Sequence, residues 1–167
     1  IRLVVSDQNV GAMGNNSRLY LRIRGKYLAI CEGDDCWTDP RKLQKQVDYL
    51  EAHPDCGLVC TDFDRYYERD GVREPSYLAN KKWAQQVVDD PRRQAGLVLA
   101  HWFYARTCTV CYRTAWVLEA WASDPVLVYS TRFRLGDVST TFLLALKGKV
   151  HFMPESTALY RELRESA

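Results

Sequence analysis

Residues 27–35 read Tyr-Leu-Ala-Ile-Cys-Glu-Gly-Asp-Asp, an apolar run that changes at once into a cluster of acidic residues. An apolar run of this length is typical of a strand buried on both faces in a parallel sheet. In open α/β sheets, ligands bind beyond the carboxyl ends of such strands, where Glu32, Asp34 and Asp35 stand here. Residues 32–35, the acidic turn, are therefore the first candidate site.

The charges of the acidic turn indicate what it binds. Its three carboxylates repel one another, and a divalent cation or a ligand among them relieves that repulsion. Hard oxygen ligands suit Mg²⁺ or Mn²⁺, and magnesium is usually held by one or two carboxylates together with substrate phosphates. Gly33 lets a ligand approach the backbone closely. The alternative is a solvated turn ahead of a helix, with Asp35 and Asp39 acting only as caps.

Length and composition limit the classes of protein to which the chain can belong. It has 167 residues, of which 47% are hydrophobic and 26% charged, as expected for one globular domain over residues 1–167. The net charge of +2 argues against nucleic-acid binding by bulk charge. The sequence has no apolar run approaching the ~18 residues that cross a membrane.

Around the acidic turn, strands and helices are predicted to alternate. Apolar patterns and turn residues predict strands over residues 1–5, 27–31, 57–63, 107–112, 149–153 and 158–160. They predict helices over residues 11–24, 40–53, 97–104, 114–122 and 137–146, and a hairpin turn at Asp70-Gly71. The alternation predicts an α/β sandwich with a mainly parallel sheet and helices on both faces.

Six cysteines form a second group of chemically able side chains. Cys108 and Cys111 have the C-x-x-C spacing, but in a strand these positions point to opposite faces. Cys31, Cys56 and Cys60 stand among aliphatic residues, where cysteine acts as a small hydrophobe. The sequence favours structural cysteines, with a zinc or redox role as the alternative.

Several blocks follow one another in a fixed order between residues 9 and 63. They are Asn9-Val10-Gly11 with Asn15, residues 25–29, residues 32–40, Lys42-Leu43 and Gln46-Val47. In order and spacing these blocks closely resemble a family 2 glycosyltransferase, which shows an N-x-G loop, a G-[KE]-Y-[IL]-A strand and an acidic turn followed by W-x-x-P-x-K-L-x-x-Q. The resemblance implies the GT-A fold of nucleotide-diphospho-sugar transferases, a Rossmann-like sandwich.

The second half of the chain resembles the family more loosely. Residues 107–113 are similar to a strand that ends in arginine, and Tyr160-Arg161 to a terminal Tyr-Arg pair. Gly136-Asp137 resembles a Glu-Asp segment, with Gly136 in place of the usual Glu. The family's first strand, which lies in the middle of its sheet, is missing. We therefore expect roughly 50 to 70 further residues before Ile1 in the natural protein, including a strand and a nucleotide-contacting loop.

The resemblance implies an inverting transferase that moves a sugar from a nucleotide diphosphate donor to an acceptor hydroxyl. Glu32 and Asp34 match the family's two acidic positions and would hold Mg²⁺ or Mn²⁺, with Asp34 as the main contact. Glu32 has the alternative of reaching the donor ribose. Asp137 matches the general base, with helix capping as a compatible alternative and Asp62 as the next candidate.

Further residues are implied to bind the nucleotide sugar, each with a plainer alternative. They are Asn9, Gly11, Asp35, Trp37 and Arg161. Asn9 and Asp35 have capping as the alternative, whereas Trp37 has packing beneath the loop and Arg161 an ordinary surface position. As a diphosphate ligand, Arg161 would act as a bidentate donor.

The implied partners are a nucleotide-sugar donor and a glycan or lipid-linked acceptor of cell-surface polysaccharide synthesis. The implied location is the cytoplasm, with association at the inner face of the membrane left open. Two other functions stay open. One is a sugar-1-phosphate nucleotidyltransferase, which also uses carboxylates and magnesium on a similar sheet. The other is a sugar-nucleotide-binding module without catalysis, which Gly136 allows.

Overall fold

The computed structural model describes residues 2–79, 81, 90–100, 103, 105–123 and 136–163. Its helices are α1 (Gly11–Tyr20), α2 (Lys42–Ala52), α3 (Pro91–Leu99), α4 (Thr114–Ser123) and α5 (Gly136–Lys147), and a 3₁₀ turn covers Thr107–Thr109. Its strands are β1 (Tyr27–Ala29), β2 (Cys36–Trp37), β3 (Cys56–Tyr67), β4 (Val72–Glu74), β5 (Cys111–Arg113) and β6 (Lys149–Glu162). Over these ranges, none of the helices has both the length and the apolarity to cross a membrane.

The strands form one sheet in the order β1-β5-β3-β6-β2, with β4 paired to β3. The predicted α/β class is confirmed, but the sheet is mixed rather than mainly parallel. The long strands β3 and β6 pair in parallel, whereas β5 lies antiparallel to both β1 and β3. Strands β3 and β4 are also antiparallel, because a short connection joins them as the predicted hairpin. Gly71 in this turn has a φ of +65°.

Because β5 reverses direction between β1 and β3, the strands β1, β3 and β6 all run the same way. Their carboxyl ends therefore meet at one edge of the sheet. The acidic turn follows β1 at this edge, as the sequence predicts.

Helices cover both faces of the described sheet, which confirms the predicted layers. In β3, Val59 faces α2 and packs with Leu50 and Cys111. Its neighbours Leu58 and Cys60 face the other side, in the core formed with α3, α4 and α5. The alternation of buried residues along β3 therefore places helices on both sides.

Several predicted elements differ from the structure. Residues 2–5 form no strand, and Leu3 and Val5 are 86% and 66% exposed. A strand needs a neighbour for its backbone N–H and C=O groups, and these residues lie beside none in the part described. The two predicted strands near the end are one continuous strand, β6, and the helix predicted over 97–104 lies earlier, as α3.

Trp116 of α4 holds the amino ends of β3 and β6 together. Its indole ring lies directly over Gly57 of β3 and over Gly148, which precedes β6. A methyl group on Gly148 would lie 2.6 Å from the ring and 2.6 Å from the Asp55 carbonyl oxygen. The close packing of α4 on this strand pair therefore requires glycine at both positions.

We expect Gly148→Ala to lower the free energy of unfolding by about 1–3 kcal/mol, because neither the ring nor the backbone carbonyl can yield easily. The matched control is Gly96→Ala in α3, where an added methyl group meets nothing within 4 Å. That change should raise stability by up to about 1 kcal/mol, the helix propensity gained over glycine. Urea unfolding of both variants makes the comparison, and equal stabilities would contradict the packing argument.

Candidate functional site

The end of β6 fixes the position of the acidic turn. The backbone N–H of Arg161 donates to Asp35 Oδ1 at 3.0 Å. The Arg161 Nε donates to the carbonyl oxygen of Asp34 at 2.7 Å. The turn itself is closed by a backbone hydrogen bond from Asp35 to Glu32 at 3.1 Å. The structure thus brings Arg161 to the turn, where the contacts described for it hold the loop in place.

Crowding of negative charge shows in the pKa values of the acidic turn. Loss of surrounding water raises the pKa of Glu32, and the charges of Asp35, Asp34 and Asp137 raise it further. Loss of water also raises the pKa of Asp35, while the hydrogen bond from the Arg161 backbone N–H opposes this rise. Among the described residues, Asp35 Oδ2 is buried and has no hydrogen-bond partner. The turn is therefore an electrostatically costly arrangement that a cation would relieve.

Asp137 lies in the first turn of α5, near the acidic turn although the two are far apart in sequence. Its charge acts on Glu32, so the two carboxylates share one region of the molecule. Asp137 is half-buried, and its Oδ1 accepts the backbone N–H of Val138 at 2.9 Å. The carboxylate thus binds a backbone N–H at the start of the helix and is still near enough for its charge to act on Glu32, so the capping and catalytic roles are compatible.

In the loop before α1, Asn9 makes the capping contact that the sequence offered as the alternative to nucleotide binding. Asn9 Oδ1 accepts the backbone N–H of Gly11 at 2.9 Å. Gly11 has a φ of +69°, a conformation that favours glycine. Both residues are exposed, and none of the contacts described for Asn9 joins it to the acidic turn. A nucleotide-binding role for this loop remains a prediction.

Trp37 stands next to the acidic turn with its ring fixed at two points. Its Nε1 donates to the carbonyl oxygen of Cys108 at 2.9 Å. The ammonium group of Lys42 lies 4.9 Å from the centre of the ring. The indole is 36% exposed, so part of it remains open to a ligand. The sequence left stacking and packing open for Trp37, and the fixed but accessible ring suits both.

The buried face of α2 differs from the one that its apolar residues predict. Leu43 is 38% exposed, whereas Lys42 and Gln46 are buried. Lys42 Nζ donates to Gln46 Oε1 at 2.7 Å, and burial lowers the pKa of Lys42 to about 8. Gln46 Nε2 donates to the carbonyl oxygens of Val59 and Thr109, at 3.1 and 2.8 Å. Lys42 and Gln46 therefore form a buried polar network that links α2 to β3 and to the 3₁₀ turn.

Asp62 is not available as a general base. Its side chain is fully buried in β3. Its carboxylate accepts the backbone N–H groups of Leu78 and Ala79, at 2.8 and 2.9 Å. The sequence offered Asp62 as the next candidate for the general base, but this carboxylate is buried and anchors the segment that follows β4.

Arg106 lies near enough to the acidic turn for its charge to act there, which the sequence did not predict. Its guanidinium group lies 4.2 Å from the centre of the Tyr160 ring, next to Arg161. Its positive charge acts on both Glu32 and Asp35. Its place directly before the block at residues 107–113 was the available signal, but a lone arginine carries little information without the fold.

The buried cysteines are structural residues, and the residues that could bind a metal ion are carboxylates of the acidic turn. All six cysteines are free. Cys56 and Cys60 are buried, as the sequence predicts, whereas Cys31, which was grouped with them, is exposed. Cys108 and Cys111 are also buried. Within the described ranges, His, Cys, Asp and Glu side chains form no group of three or more that could hold a metal ion alone. The oxygen donors of Glu32 and Asp34, next to the unpartnered Asp35 Oδ2, fit a hard divalent ion that takes its other ligands from a phosphate.

Comparison with known proteins gives a match to one family and relatives that are much longer than this chain. The model of the family described as Glycosyl transferase family 2 matches residues 1–116. The chain is 42% identical over 160 residues to the uncharacterized protein Rv1520 of Mycobacterium tuberculosis and to the uncharacterized protein Mb1547 of Mycobacterium bovis. Each alignment covers 96% of this chain and 41% of the relative, so the chain spans about two-fifths of their length.

We expect Glu32→Gln to raise the free energy of unfolding at pH 7, because it removes a carboxylate whose pKa the fold raises. A raised pKa means that the folded state binds the proton more tightly, so this carboxyl group lowers stability as the pH rises through its folded-state pKa. The advantage of the variant should therefore shrink as the pH falls to 4.5, the ordinary pKa of the group. Urea unfolding of the variant and the parent at both pH values measures this difference in the free energy of unfolding.

The control for this change is Glu51→Gln. Glu51 pairs with Lys26 at 2.6 Å on the surface, and that pair lowers its pKa. Its carboxylate favours folding above the ordinary carboxyl range, so the variant should be slightly less stable at pH 7. If Glu32→Gln and Glu51→Gln shifted stability in the same direction, the electrostatic reading of the acidic turn would fail.

Proposed function

Because the chain belongs to glycosyl transferase family 2, we propose that it is the donor-binding and catalytic core of an inverting glycosyltransferase. It would move a sugar, of the hexosyl type, from a nucleotide diphosphate to an acceptor hydroxyl. The observation that carries the proposal is the convergence of Asp137 with the acidic turn at one edge of the sheet. That edge is where α/β sheets bind their ligands.

On the donor side, the acidic turn would receive the diphosphate. Asp34 and Glu32 would hold Mg²⁺ or Mn²⁺, which would neutralise the charge that develops on the leaving diphosphate. Arg161 keeps Asp34 and Asp35 in place through its contacts with the turn. The same residues that would bind the donor are thus already ordered by β6.

On the acceptor side, Asp137 would act as the general base. The acceptor oxygen forms its bond to the anomeric carbon, the bond from that carbon to the diphosphate oxygen breaks, and the hydroxyl proton passes to the Asp137 carboxylate. Attack from the face opposite the diphosphate inverts the anomeric centre. The contact with Val138 N–H holds one carboxylate oxygen and leaves the other for the proton.

The remaining assignments concern recognition of the substrates. Trp37 would stack on a sugar ring beside the turn, and Asn9 and Gly11 would border the nucleotide. The acceptor would be a glycan or a lipid-linked glycan used in cell-surface polysaccharide synthesis, in the cytoplasm or at the inner face of the membrane.

A thermal-shift panel of nucleotide sugars with and without Mn²⁺ tests the proposal, since a true donor raises Tm by mass action. Pyrophosphate-dependent exchange would instead identify a nucleotidyltransferase.

Asp34→Asn should abolish the Mn²⁺-dependent part of the stabilisation by nucleoside diphosphate, because it removes a charged metal ligand at nearly constant shape. The readout is the shift in Tm with UDP or GDP, in the presence of Mn²⁺ and of EDTA. The matched control is Asp48→Asn, on the exposed surface of α2, which should behave as the parent. A full Mn²⁺ response in Asp34→Asn would show that the metal binds elsewhere.

Asp137→Asn should lower turnover by about two to four orders of magnitude, the range expected for a general base. The affinity for the donor should stay near that of the parent, because the amide oxygen still accepts the Val138 N–H. Steady-state turnover and donor binding by calorimetry separate the two quantities. Unchanged turnover would assign the proton transfer to another group.

A further inference from the structure

Lys42 places a buried ammonium group beside a partly open aromatic ring. Lys42 is 1% exposed, and its Nζ lies 4.9 Å from the centre of the Trp37 ring. Trp37 itself is 36% exposed. Since almost none of Lys42 meets solvent, the open part of the ring is not the part that covers the ammonium group. Trp37 therefore has a protein side next to a positive charge and an open side that a ligand can reach.

Hydrogen bonds hold the Lys42 ammonium group in this position. Its Nζ donates to Gln46 Oε1 at 2.7 Å, one turn further along α2. The amide nitrogen of Gln46 in turn donates to the carbonyl oxygens of Val59 in β3 and of Thr109 in the 3₁₀ turn, at 3.1 and 2.8 Å. The charge beside Trp37 is therefore fixed relative to three elements of the fold.

Two contacts of different kinds act on the Trp37 ring. Its Nε1 donates to the carbonyl oxygen of Cys108 at 2.9 Å, which fixes one edge of the indole. A single hydrogen bond leaves the ring free to tilt about that edge. An ammonium group within about 6 Å of a ring centre attracts its π electrons, and the attraction is stronger where water is excluded, as it is at Lys42. The ammonium group therefore adds a second constraint, on the tilt of the ring.

The charge on Lys42 changes in an accessible pH range. Burial lowers the pKa of its ammonium group to about 8, so the group is charged at pH 7 and loses its proton above pH 8. Burial raises the pKa of the thiols that face it, to about 11 for the one in β5, so Lys42 loses its proton before these thiols lose theirs. The thiols come from β5, the 3₁₀ turn, β3 and the segment after β1, and belong to Cys111, Cys108, Cys60 and Cys31.

We infer that Lys42 is a positioning residue for the donor sugar, because its buried ammonium group sets the tilt at which the Trp37 ring meets that sugar. This inference rests on the proposed function, in which Trp37 stacks on a sugar ring. Stacking needs the two surfaces to lie flat against each other, so a small change in tilt weakens it. Lys42 should therefore affect binding of the sugar and leave binding of the diphosphate as it is.

The test compares each nucleotide sugar with its own nucleoside diphosphate. Calorimetry in Mn²⁺ at pH 7 measures the affinities of UDP-glucose and UDP, and of GDP-mannose and GDP, for the full-length protein. The sugar preference is the Kd of the diphosphate divided by the Kd of the nucleotide sugar, so effects on the metal and the diphosphate cancel. For the pair that the parent binds, Lys42→Met should lower the sugar preference about 3- to 30-fold, the range set by one desolvated cation–π contact.

The control and a double variant separate this role from a general loss of structure. Arg41→Met removes a positive charge from the exposed residue just before α2 and should keep the sugar preference of the parent. Trp37→Leu should lower the preference at least as far as Lys42→Met does. The double variant of Trp37→Leu with Lys42→Met should match Trp37→Leu alone, because Lys42 acts through the ring.

A pH titration of the parent tests the same inference without a substitution at position 42, and so holds even if Lys42→Met fails to fold. Between pH 7 and pH 9 the charged fraction of Lys42 falls from about nine-tenths to about one-tenth, given its pKa of about 8. The sugar preference of the parent should fall over this range. That of Trp37→Leu should stay constant.

Other outcomes overturn the inference in distinguishable ways. Additive losses in the double variant, or equal weakening of the nucleotide sugar and the diphosphate, would mean that Lys42 does not act through the ring. A sugar preference that changes neither with pH nor in Trp37→Leu would remove both residues from sugar binding, while binding of the diphosphate would leave the proposed function standing. If the parent bound none of the four nucleotides, the proposed function itself would fail, and the inference with it.

Discussion

The side-chain amide of Gln46 is the contact on which the site depends. It donates to Val59 in β3 and to Thr109 at the end of the 3₁₀ turn, and its oxygen accepts the ammonium group of Lys42. The ring of Trp37 lies next to that ammonium group, and its Nε1 donates to the carbonyl oxygen of Cys108 in the same 3₁₀ turn. Buried polar groups are costly unless each finds a partner, so each of these contacts stabilises the others. Helix α2, strand β3 and the floor of the acidic turn are thereby fixed as one body.

The acidic turn itself works against the stability of the fold. Its carboxylates are crowded and partly dehydrated, and one oxygen of Asp35 has no partner among the described residues. The protein keeps the turn in place with backbone hydrogen bonds and with the two contacts of Arg161. Strain of this kind is common at functional sites. The arrangement is electrostatically costly, and positive charge beside it would lower that cost.

Local patterns in the sequence identified a large part of this architecture. The apolar run before the acidic turn, the hairpin at Asp70-Gly71 and the helices α4 and α5 all follow from nearby residues. What the sequence could not give depends on distant partners. Lys42 and Gln46 look like surface residues of α2 until Val59 and Thr109 are placed beside them. The proximity of Asp137 to the turn was implied only by the family resemblance, and the burial of Asp62 was not anticipated.

The ring of Trp116 over Gly57 and Gly148 has a consequence for how such a domain can diverge. Each glycine is locked by the same indole, so neither position can accept a side chain while tryptophan remains. A smaller residue at position 116 would free position 57, but it would first leave a void against two strands. Gly148 would still be constrained, because an added methyl group there also lies 2.6 Å from the Asp55 carbonyl oxygen. The viable route between this sequence and one with a larger residue at 57 therefore passes through a less stable intermediate. Drift at these three positions is coupled, and a lineage that keeps the tryptophan inherits both glycines with it.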